Sequence, residues 1–281
     1  MKILEILKSG IDETIKYKFV TDDNYIIESC VLFFFEEKAT INICVSTQVG
    51  CISNCSFCVT GKKRFVRNLK KEEIIEQVEL VFQNTSSIKD KLFEITYMGT
   101  GEPLYNIDEV LESIEILKNK YQNLHRINIS TIFPYIERIF DNDAMKKSKA
   151  HFQYSLHFLA DDLREKYFGT KLLPIKESLQ YLNNLSEISG EKFCVNYLLF
   201  KDINDSIEDA KKLVELVSNK HAYIKISKYC PISNNKTLEP SDKFEDFTKV
   251  LNNSNVIWKS FESKGVDIKA SCGHLLSDVE F

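Results

Sequence analysis

Four cysteines stand close together in the stretch CVSTQVGCISNCSFCVTG, residues 44–61. Three of them, Cys51, Cys55 and Cys58, are spaced C-x3-C-x2-C, and Cys44 lies seven residues before the first. Three thiolates on one short loop can bind three corners of a [4Fe–4S] cluster and leave the fourth iron open to a small-molecule ligand. Structural zinc is the competing metal, but it needs four protein ligands, and the nearest fourth candidate, Cys44, lies on a predicted strand. The spacing therefore favours an iron–sulfur centre with one open coordination site.

Composition and charge restrict the class of protein. The chain has 281 residues, of which 43% are hydrophobic and 28% charged, as in ordinary globular proteins. Its longest apolar run, residues 31–35, is too short to span a bilayer, and residues 1–20 lack the basic start and cleavage site of a signal peptide. We therefore expect a cytoplasmic protein with no membrane partner, in which clustered thiols stay reduced. The formal net charge of −4 does not indicate a nucleic-acid-binding surface, although the lysine-rich segment 61–71 could form either a basic patch or a solvated face.

Strands and helices are predicted to alternate around the cysteines. Residues 1–20 indicate a short amphipathic helix, and residues 25–35 and 40–46 predict a β-hairpin closed by EEKA (36–39). Further strands are predicted at 92–98, 126–132, 151–158, 192–200, 222–230 and 255–261, and helices at 69–84, 106–121, 134–147, within 161–189, at 206–219 and at 241–254. Repeated β–α units imply parallel strands, which fit a barrel, a partial barrel or, alternatively, a doubly wound open sheet. In each of these folds ligands gather at the C-terminal ends of the strands.

The cysteine loop is part of a longer series of motifs. Phe57 precedes the last cysteine of the group, and this arrangement resembles the radical S-adenosylmethionine superfamily. More narrowly, CVSTQVGC...C.FC.TG....F.RNL resembles the RlmN/Cfr family, class A radical methyltransferases that act on adenine in ribosomal RNA and, for some members, transfer RNA. The resemblance continues in order through IES (27–29), MGTGEPLYN (98–106), INIST (127–131), SLH (155–157), LLPIKESL (172–179), NYLLFKDINDS (196–206) and GVDIKASCGHL (265–275).

The resemblance implies a fold, a domain organisation and a set of cofactors. The implied fold is α/β, a partial (β/α)6 radical-SAM barrel with a short N-terminal β-hairpin extension. Residues 1–45 would hold the N-terminal helix and hairpin, and residues 46–281 the barrel with a C-terminal catalytic-cysteine loop. The implied cofactors are a [4Fe–4S] cluster on Cys51, Cys55 and Cys58, and S-adenosylmethionine, which chelates the open iron. The implied partners are RNA and an electron donor such as flavodoxin or ferredoxin.

The same resemblance assigns residues to the S-adenosylmethionine site. The loop GTGEP (99–103) follows a predicted strand, and its glycines allow the backbone to approach a ligand closely. This loop, with Gly101 and Glu102, is expected to meet the methionyl ammonium through backbone carbonyls and the negative charge of Glu102. The other implied contacts are Phe57, Ser130, Ser155, Leu156, His157 and Cys230.

Three residues match catalytic positions of the family. Cys272 matches the cysteine that receives a methyl group from one S-adenosylmethionine, and a radical made from a second S-adenosylmethionine then activates that methyl group to add to the substrate carbon. Cys44 would attack the sulfur of Cys272, release the product and leave a transient Cys44–Cys272 disulfide. Glu28 matches the proton acceptor, and the alternative for it is a solvent-facing glutamate on an edge strand. Cys30 and Cys194 lie within apolar strands and are expected in the core.

The chain departs from the family pattern in several places. Family members carry a helical domain before the barrel, where this chain has only a short segment. Cys230 replaces an asparagine that contacts S-adenosylmethionine, arginines before the methylated cysteine are missing, STSG becomes STIF (130–133), and GQL becomes GHL with His274. Three hypotheses remain open on the residues. They are radical methylation of adenine in RNA, the same chemistry on a small molecule, nucleotide or peptide, and an iron–sulfur redox protein without methyl transfer.

Overall fold

One ten-stranded sheet organises the part of the chain that the computed structural model describes, residues 1–34, 40–136, 143–232 and 237–279. In spatial order its strands are β1 (Lys2–Lys8), β2 (Ile15–Val20), β3 (Ile26–Phe34), β4 (Thr40–Val45), β7 (Phe93–Tyr97), β8 (Leu124–Thr131), β9 (His151–Ser155), β10 (Phe193–Leu199), β11 (Ala222–Lys228) and β12 (Trp258–Phe261). A separate two-stranded ribbon pairs β5 (Gln48–Val49) with β6 (Arg67–Asn68) in antiparallel fashion.

The helices connect parallel strands and make the fold a partial barrel. They are α1 (Lys71–Asn84), α2 (Ile107–Lys120), α3 (Asp143–Ser148), α4 (Asp161–Phe168), α5 (Ile175–Ser189), α6 (Ile207–Val217) and α7 (Phe244–Asn252). Each of β4, β7, β8, β9, β10 and β11 is followed by at least one helix, and all six pair in parallel with their neighbours along the barrel. The sheet does not close, because β1 and β12 remain its two edges. The predicted partial (β/α)6 barrel is confirmed, and no helix of the described residues is long and apolar enough to cross a bilayer.

The N-terminal segment corrects the sequence analysis. Residues 1–20 form strands β1 and β2, so the predicted helix is wrong. Gly10, in the connection between the two strands, is a poor residue for the middle of a helix. Strand β2 pairs with β3 and buries Tyr17 and Phe19 completely. This strand pairing outweighs the helical spacing of the apolar residues, as tertiary context often does for short segments.

The hairpin of β3 and β4 is confirmed as an antiparallel pair, while its closing residues, EEKA, lie outside the described residues. Part of the helix predicted at 134–147 also lies outside them, and its described end forms α3. Strand β4 pairs in parallel with β7, which makes the sheet continuous across the boundary drawn between residues 45 and 46. The division into two domains at that point stays a prediction.

The apolar core lies between the sheet and its helices, as α1 illustrates. Ile74, Val78 and Val81 recur at helical spacing and are completely buried. Burying each such side chain contributes about 1.5–3 kcal/mol relative to leaving it exposed. The Glu73 side chain accepts a hydrogen bond from the Lys70 N–H (2.9 Å), which satisfies a backbone donor at the start of the helix. The helix that follows the cysteine loop is therefore firmly docked, and it fixes where that loop must end.

Candidate active site

The three clustered cysteines lie on one loop, residues 50–66, whose base is closed by the ribbon of β5 and β6. Cys55 is buried, whereas Cys51 and Cys58 are partly exposed. The Cys58 N–H donates a hydrogen bond to the carbonyl of Cys55 (3.2 Å), so the chain turns tightly between these two cysteines. The structure therefore holds the three cysteines together on a loop that is anchored at both ends.

The electrostatics of these thiols favour a cationic partner. Burial raises the pKa of Cys51 to about 12, with a further contribution from Cys58, and burial also raises the pKa of Cys55 and of Cys58. Three thiolates can coexist here only beside a cation that offsets their charge, as in a metal centre. Among the described residues, no three His, Cys, Asp or Glu side chains are arranged to hold a metal ion. In a [4Fe–4S] cluster each of the three cysteines would bind its own iron.

Phe57 anchors the cysteine loop to an aromatic layer at the ends of the strands. Its ring centroid lies 5.5 Å from that of His157, 5.3 Å from Phe168 and 5.6 Å from Phe200. The side chain is only 8% exposed, so its contacts in this structure are with protein. Phe57 thus positions the loop by packing, and its expected contact with S-adenosylmethionine stays a prediction.

The loop after β7, which contains the GTGEP motif, is locked onto the residues just before the cysteine loop. The Thr100 carbonyl accepts hydrogen bonds from the N–H groups of Thr47 (2.8 Å) and Gln48 (3.1 Å). Gly101 has a φ of 102°, and a Cβ at this position would lie 2.6 Å from the Gln48 side chain. Only glycine fits there, so the backbone of this loop stays close to the cysteine loop.

Glu102 of the same motif is buried and fully engaged with protein. One carboxylate oxygen accepts from the Thr131 hydroxyl (2.5 Å) and the Leu104 N–H (3.1 Å), and the other accepts from the Ile132 N–H (3.1 Å). Burial raises the pKa of Glu102 to about 7 despite these hydrogen bonds. The carboxylate therefore joins the loop after β7 to the end of β8, and direct contacts of Gly101 and Glu102 with a ligand stay predictions.

Four more predicted contacts, Ser130, Ser155, Leu156 and His157, lie at the ends of β8 and β9. Ser130 is buried and Ser155 partly exposed, and contacts of these four residues with S-adenosylmethionine stay predictions. His157 has a left-handed backbone, with a φ of 53°, and its Nδ1 accepts from the Leu198 N–H (3.2 Å). Burial lowers the pKa of His157 to about 3, so the ring is neutral and carries its proton on Nε2.

Arg164 is a residue of this region that the sequence analysis missed. It is completely buried, and its guanidinium donates to four carbonyl oxygens, those of Ile132 (2.7 Å), Leu156 (3.2 Å), Ser155 (3.4 Å) and Leu173 (3.4 Å). The side chain thereby joins the ends of β8 and β9 to the segment before α5. Its sequence context, DDLREKYF, is typical of a solvent-exposed helix and carries no signal for this role.

The C-terminal segment, residues 265–279, carries Cys272 to the cysteine loop. Gly273, which has a φ of 83°, accepts a hydrogen bond at its carbonyl from the Val59 N–H (2.7 Å). The Cys272 side chain is exposed, yet the surrounding protein desolvates the thiol and raises its pKa, with a further contribution from Cys58. The C-terminal segment therefore brings Cys272 next to the cysteine loop.

Cys44 lies beneath the same C-terminal segment. It stands opposite Cys30 in the pairing of β3 with β4, so both thiols lie on one face of the sheet. Ala270 and Leu275 pack against that face. Burial raises the pKa of Cys44 to about 12, and Cys272 is the second cause of the shift, so the two thiols are within electrostatic reach of each other. Each cysteine of the chain is a free thiol in this structure, and Cys30 and Cys194 are buried as expected.

Glu28 is completely buried on β3, so the alternative of a solvent-facing glutamate is wrong. Its carboxylate lies 3.5 Å from the ammonium of Lys16, which is equally buried, and accepts from the Leu276 N–H (2.8 Å). Lys16 also donates to the Lys269 carbonyl (3.3 Å), and burial raises the pKa of Glu28. This ion pair holds the C-terminal segment against the sheet. The sequence analysis missed Lys16 because β2 was predicted as helix, and a proton-accepting role for Glu28 stays a prediction.

Cys230 follows β11 and contacts the C-terminal segment next to Cys272. The Ser271 hydroxyl donates to the Cys230 thiol (3.9 Å). The neighbouring His274 imidazole lowers the pKa of Cys230, and Cys230 in turn raises the pKa of His274. The sequence marked both residues as departures from the family pattern, but only the structure brings them together. The expected contact of Cys230 with S-adenosylmethionine stays a prediction.

Several known proteins are similar to this chain in sequence and in fold. The model of the Radical SAM superfamily matches residues 45–216. The probable dual-specificity RNA methyltransferase RlmN of Pseudothermotoga lettingae is 34% identical over 98% of this chain and 79% of its own length, and the dual-specificity RNA methyltransferase RlmN of Aliarcobacter butzleri is 32% identical over 97% and 80%. The chain belongs to the RlmN family of the radical SAM superfamily. A radical SAM methyltransferase from Sphaerobacter thermophilus, known from its crystal structure, has the same fold, with a TM-score of 0.85 and 26% identity over 98% of this chain and 80% of that one.

Membership in the family defines the class of enzyme. The chain is a radical S-adenosylmethionine methyltransferase, whose cofactors are a [4Fe–4S] cluster and S-adenosylmethionine. The set of thiols described above fits the cluster, because Cys51, Cys55 and Cys58 share one anchored loop and need a cationic partner to ionise. The strand ends that carry Ser130 and Ser155 face ligands in folds of this kind.

Proposed function

We propose that the chain methylates a carbon of adenine in RNA, with Cys272 as the methyl carrier and Cys44 as the thiol that releases the product. Cys51, Cys55 and Cys58 are the proposed cluster ligands. The relatives named as dual-specificity RNA methyltransferases support the class of substrate. The observation that carries the proposal is the meeting of three segments that are distant in sequence, because Cys44 lies under the C-terminal segment and Cys272 lies beside the cysteine loop.

When bound, the cluster and S-adenosylmethionine supply radical chemistry at the methyl group, with an electron from a donor such as flavodoxin or ferredoxin. The chain's own thiols divide the remaining work. Cys272 is exposed and can reach a methyl donor, whereas Cys44 is buried beneath the C-terminal segment, so Cys272 is the proposed methyl acceptor. Glu28 is the proposed proton acceptor, and burial, which raises its pKa, makes the carboxylate a stronger base. A cytoplasmic location, where thiols stay reduced, suits the transient disulfide of this cycle.

Lysines around the thiols support an anionic substrate. Lys225 on β11 lowers the pKa of Cys272, so its positive charge lies near this thiol. Lys259 stands opposite Lys225 in the pairing of β11 with β12. The Lys264 ammonium lies 5.5 Å from the ring of Phe34, which packs beside Cys44. Cations placed in this way can bind phosphate groups of RNA, although the net charge of the chain is −4.

The decisive experiment compares two cysteine variants purified from cells. Cys44→Ala should form the covalent adduct but lack the thiol that releases it, so peptide mass spectrometry should find substrate attached to Cys272. Cys272→Ala has no sulfur to carry the methyl group and should show no adduct at all. Cys194→Ala, which removes a buried thiol from β10, is the matched control and should turn over without trapping anything.

The added mass identifies the substrate. Nucleotide fragments after nuclease treatment would support methylation of RNA, and a small defined mass would support the alternative of the same chemistry on a small molecule or peptide. Absence of any S-methyl group or adduct on Cys272, in a protein that carries its cluster, would overturn the proposed use of this cysteine.

A further inference from the structure

A second thiol site lies near Cys272, after strand β11. Ser271 and His274 flank Cys272, and both interact with the thiol of Cys230. Cys272 is therefore within electrostatic reach of two other cysteines, a buried one (Cys44, 5% exposed) and a partly exposed one (Cys230).

The hydrogen bonds of His274 favour its charged form. Nε2 lies 3.1 Å from the Pro231 carbonyl, and Nδ1 lies 3.4 Å from the Cys272 carbonyl and 3.0 Å from the Ser271 hydroxyl. Carbonyl oxygens only accept hydrogen bonds, so a ring with protons on both nitrogens satisfies both of them. The Ser271 hydroxyl can then accept from Nδ1 and donate to the Cys230 sulfur. This geometry stabilises a thiolate at Cys230 beside an imidazolium.

We propose that Cys230 and His274 form a thiol-exchange site that takes the disulfide from Cys44 and presents it to an external dithiol reductant. The proposal rests on the proposed function, since methyl transfer is the step that leaves Cys44 joined to Cys272. Cys44 is buried beneath the C-terminal segment, whereas Cys230 is partly exposed, so exchange moves the disulfide to a more exposed position. A disulfide between exposed or strained positions is more readily reduced than a buried one.

The exchange balances without an added oxidant. The Cys230 thiolate attacks Sγ of Cys272, the bond between Cys272 and Cys44 breaks, and a Cys230–Cys272 bond forms. Cys44 leaves as a thiolate and takes the proton that the His274 imidazolium gives up. A dithiol protein of the thioredoxin class then supplies two electrons and two protons and becomes a disulfide itself. Cys272 returns as a thiol, and Cys230 and His274 return to their thiolate–imidazolium pair.

Exchange rates depend on the attacking thiol in a way that can be measured. The thiolate is the nucleophile, and lowering a thiol pKa by one unit raises the thiolate fraction about tenfold while its intrinsic reactivity falls about threefold. The Cys230 thiolate is therefore favoured over a thiol without a cationic partner. Cys44 and Cys230 also differ in burial, so the two disulfides of Cys272 should differ in how fast a protein reductant removes them.

The test uses the full chain with its cluster, kept anaerobic in buffers of oxidised and reduced glutathione, with disulfides mapped by differential alkylation and peptide mass spectrometry. In the unchanged protein, Cys272 should be found joined to Cys44 and to Cys230. In Cys44→Ala, the molecules whose Cys272 carries no substrate should still form the Cys230–Cys272 disulfide. A protein in which Cys272 never joins Cys230, in either form, would overturn the proposal.

A second measurement follows the reduction of the oxidised proteins by thioredoxin with its reductase and NADPH. Cys230→Ala should be reduced about tenfold more slowly than the unchanged protein, because only the disulfide to buried Cys44 remains. His274→Gln should be about threefold slower, because the cation that stabilises the thiolate is gone. Cys194→Ala is the matched control and should match the unchanged protein. Equal rates for Cys230→Ala and the control would overturn the exchange.

These disulfides are set by glutathione and need no methyl transfer, so the two proposals fail separately. An adduct trapped in Cys44→Ala, together with no Cys230–Cys272 disulfide in the unchanged protein, removes the exchange site and leaves the methyltransferase proposal intact. A protein that forms the Cys230–Cys272 disulfide but never carries a methyl group on Cys272 has lost the proposed function, while its exchange chemistry stands.

Discussion

The buried ion pair of Lys16 and Glu28 offers a quantitative test of how the C-terminal segment is held. The Lys16 ammonium lies 3.5 Å from the Glu28 carboxylate, and both side chains are completely buried. Lys16→Met keeps the apolar stem and removes the charge, together with the hydrogen bond to the Lys269 carbonyl (3.3 Å). Glu28 then remains buried with the Leu276 N–H as its partner from the C-terminal segment.

The expected loss follows from the cost of an unpaired buried charge. Removing one partner of a buried pair lowers the free energy of unfolding by about 3–5 kcal/mol. Burial already raises the pKa of Glu28, and loss of Lys16 raises it further, so protonation of the carboxyl limits the damage. We therefore expect Lys16→Met to lower the free energy of unfolding by about 3 kcal/mol at neutral pH, which corresponds to a fall in Tm of roughly 6–12 °C.

The dependence on pH has a definite sign. The pKa of Glu28 is raised in the folded state, so the folded protein binds this proton more tightly than the unfolded chain does. Stability from this group is fully present below the unfolded pKa and is lost as the pH rises through the folded pKa. The deficit of Lys16→Met should accordingly be smaller at pH 5 than at pH 8.

Urea unfolding followed by circular dichroism measures these differences. The double variant Lys16→Met with Glu28→Gln removes both charges, and its amide can still accept from the Leu276 N–H. Its free energy of unfolding should be about 2 kcal/mol or more above that of Lys16→Met alone, because the second change removes the unpaired buried charge. A loss below about 1 kcal/mol in Lys16→Met, or a double variant no more stable than the sum of the single changes, would refute this account of the ion pair.

Three further predictions concern the cluster loop, a buried arginine and a buried histidine. Anaerobic reconstitution should give about four irons per chain in the unchanged protein and far less in Cys58→Ala, and stoichiometric zinc without visible absorbance would contradict the cluster. Arg164→Met leaves four carbonyl oxygens without their donor, so it should lose at least about 3 kcal/mol of stability and weaken S-adenosylmethionine binding in calorimetry, whereas unchanged values would contradict its positioning role. Burial lowers the pKa of His151 from 6.5 to about 3, so stability should fall as the pH drops below 6.5, by about 2 kcal/mol at pH 5. Denaturant midpoints should lose that dependence in His151→Gln and keep it in the exposed control His125→Gln.

Local sequence patterns were sufficient to predict most strands and helices of the barrel. Helices α1, α2 and α6 carry apolar residues at helical spacing, and the strands between them are short and apolar. In each of these elements the spacing of apolar residues in the sequence agrees with the face that the fold buries. Residues 1–20 were predicted wrongly because a short apolar segment fits either period. The segment forms strands rather than a helix because β2 pairs with β3 and buries Tyr17 and Phe19.

The sequence by itself determined the chemistry of the cysteine loop. A spacing of three and two residues confines Cys51, Cys55 and Cys58 to one small volume, whatever the rest of the chain does. The motifs and their order along the chain likewise predicted the class of enzyme, and the family comparison confirmed that prediction.

Only the tertiary structure decided which distant residues share the site. The contacts of Lys16 with Glu28 and of Cys230 with His274 depend on strand register and on the path of the C-terminal segment across the sheet. Arg164 looks exposed in its helix, and it is buried because α4 covers the ends of β8 and β9. Such contacts join residues that are far apart in the chain, so no local periodicity encodes them, and burial and hydrogen-bond satisfaction of the whole fold select them.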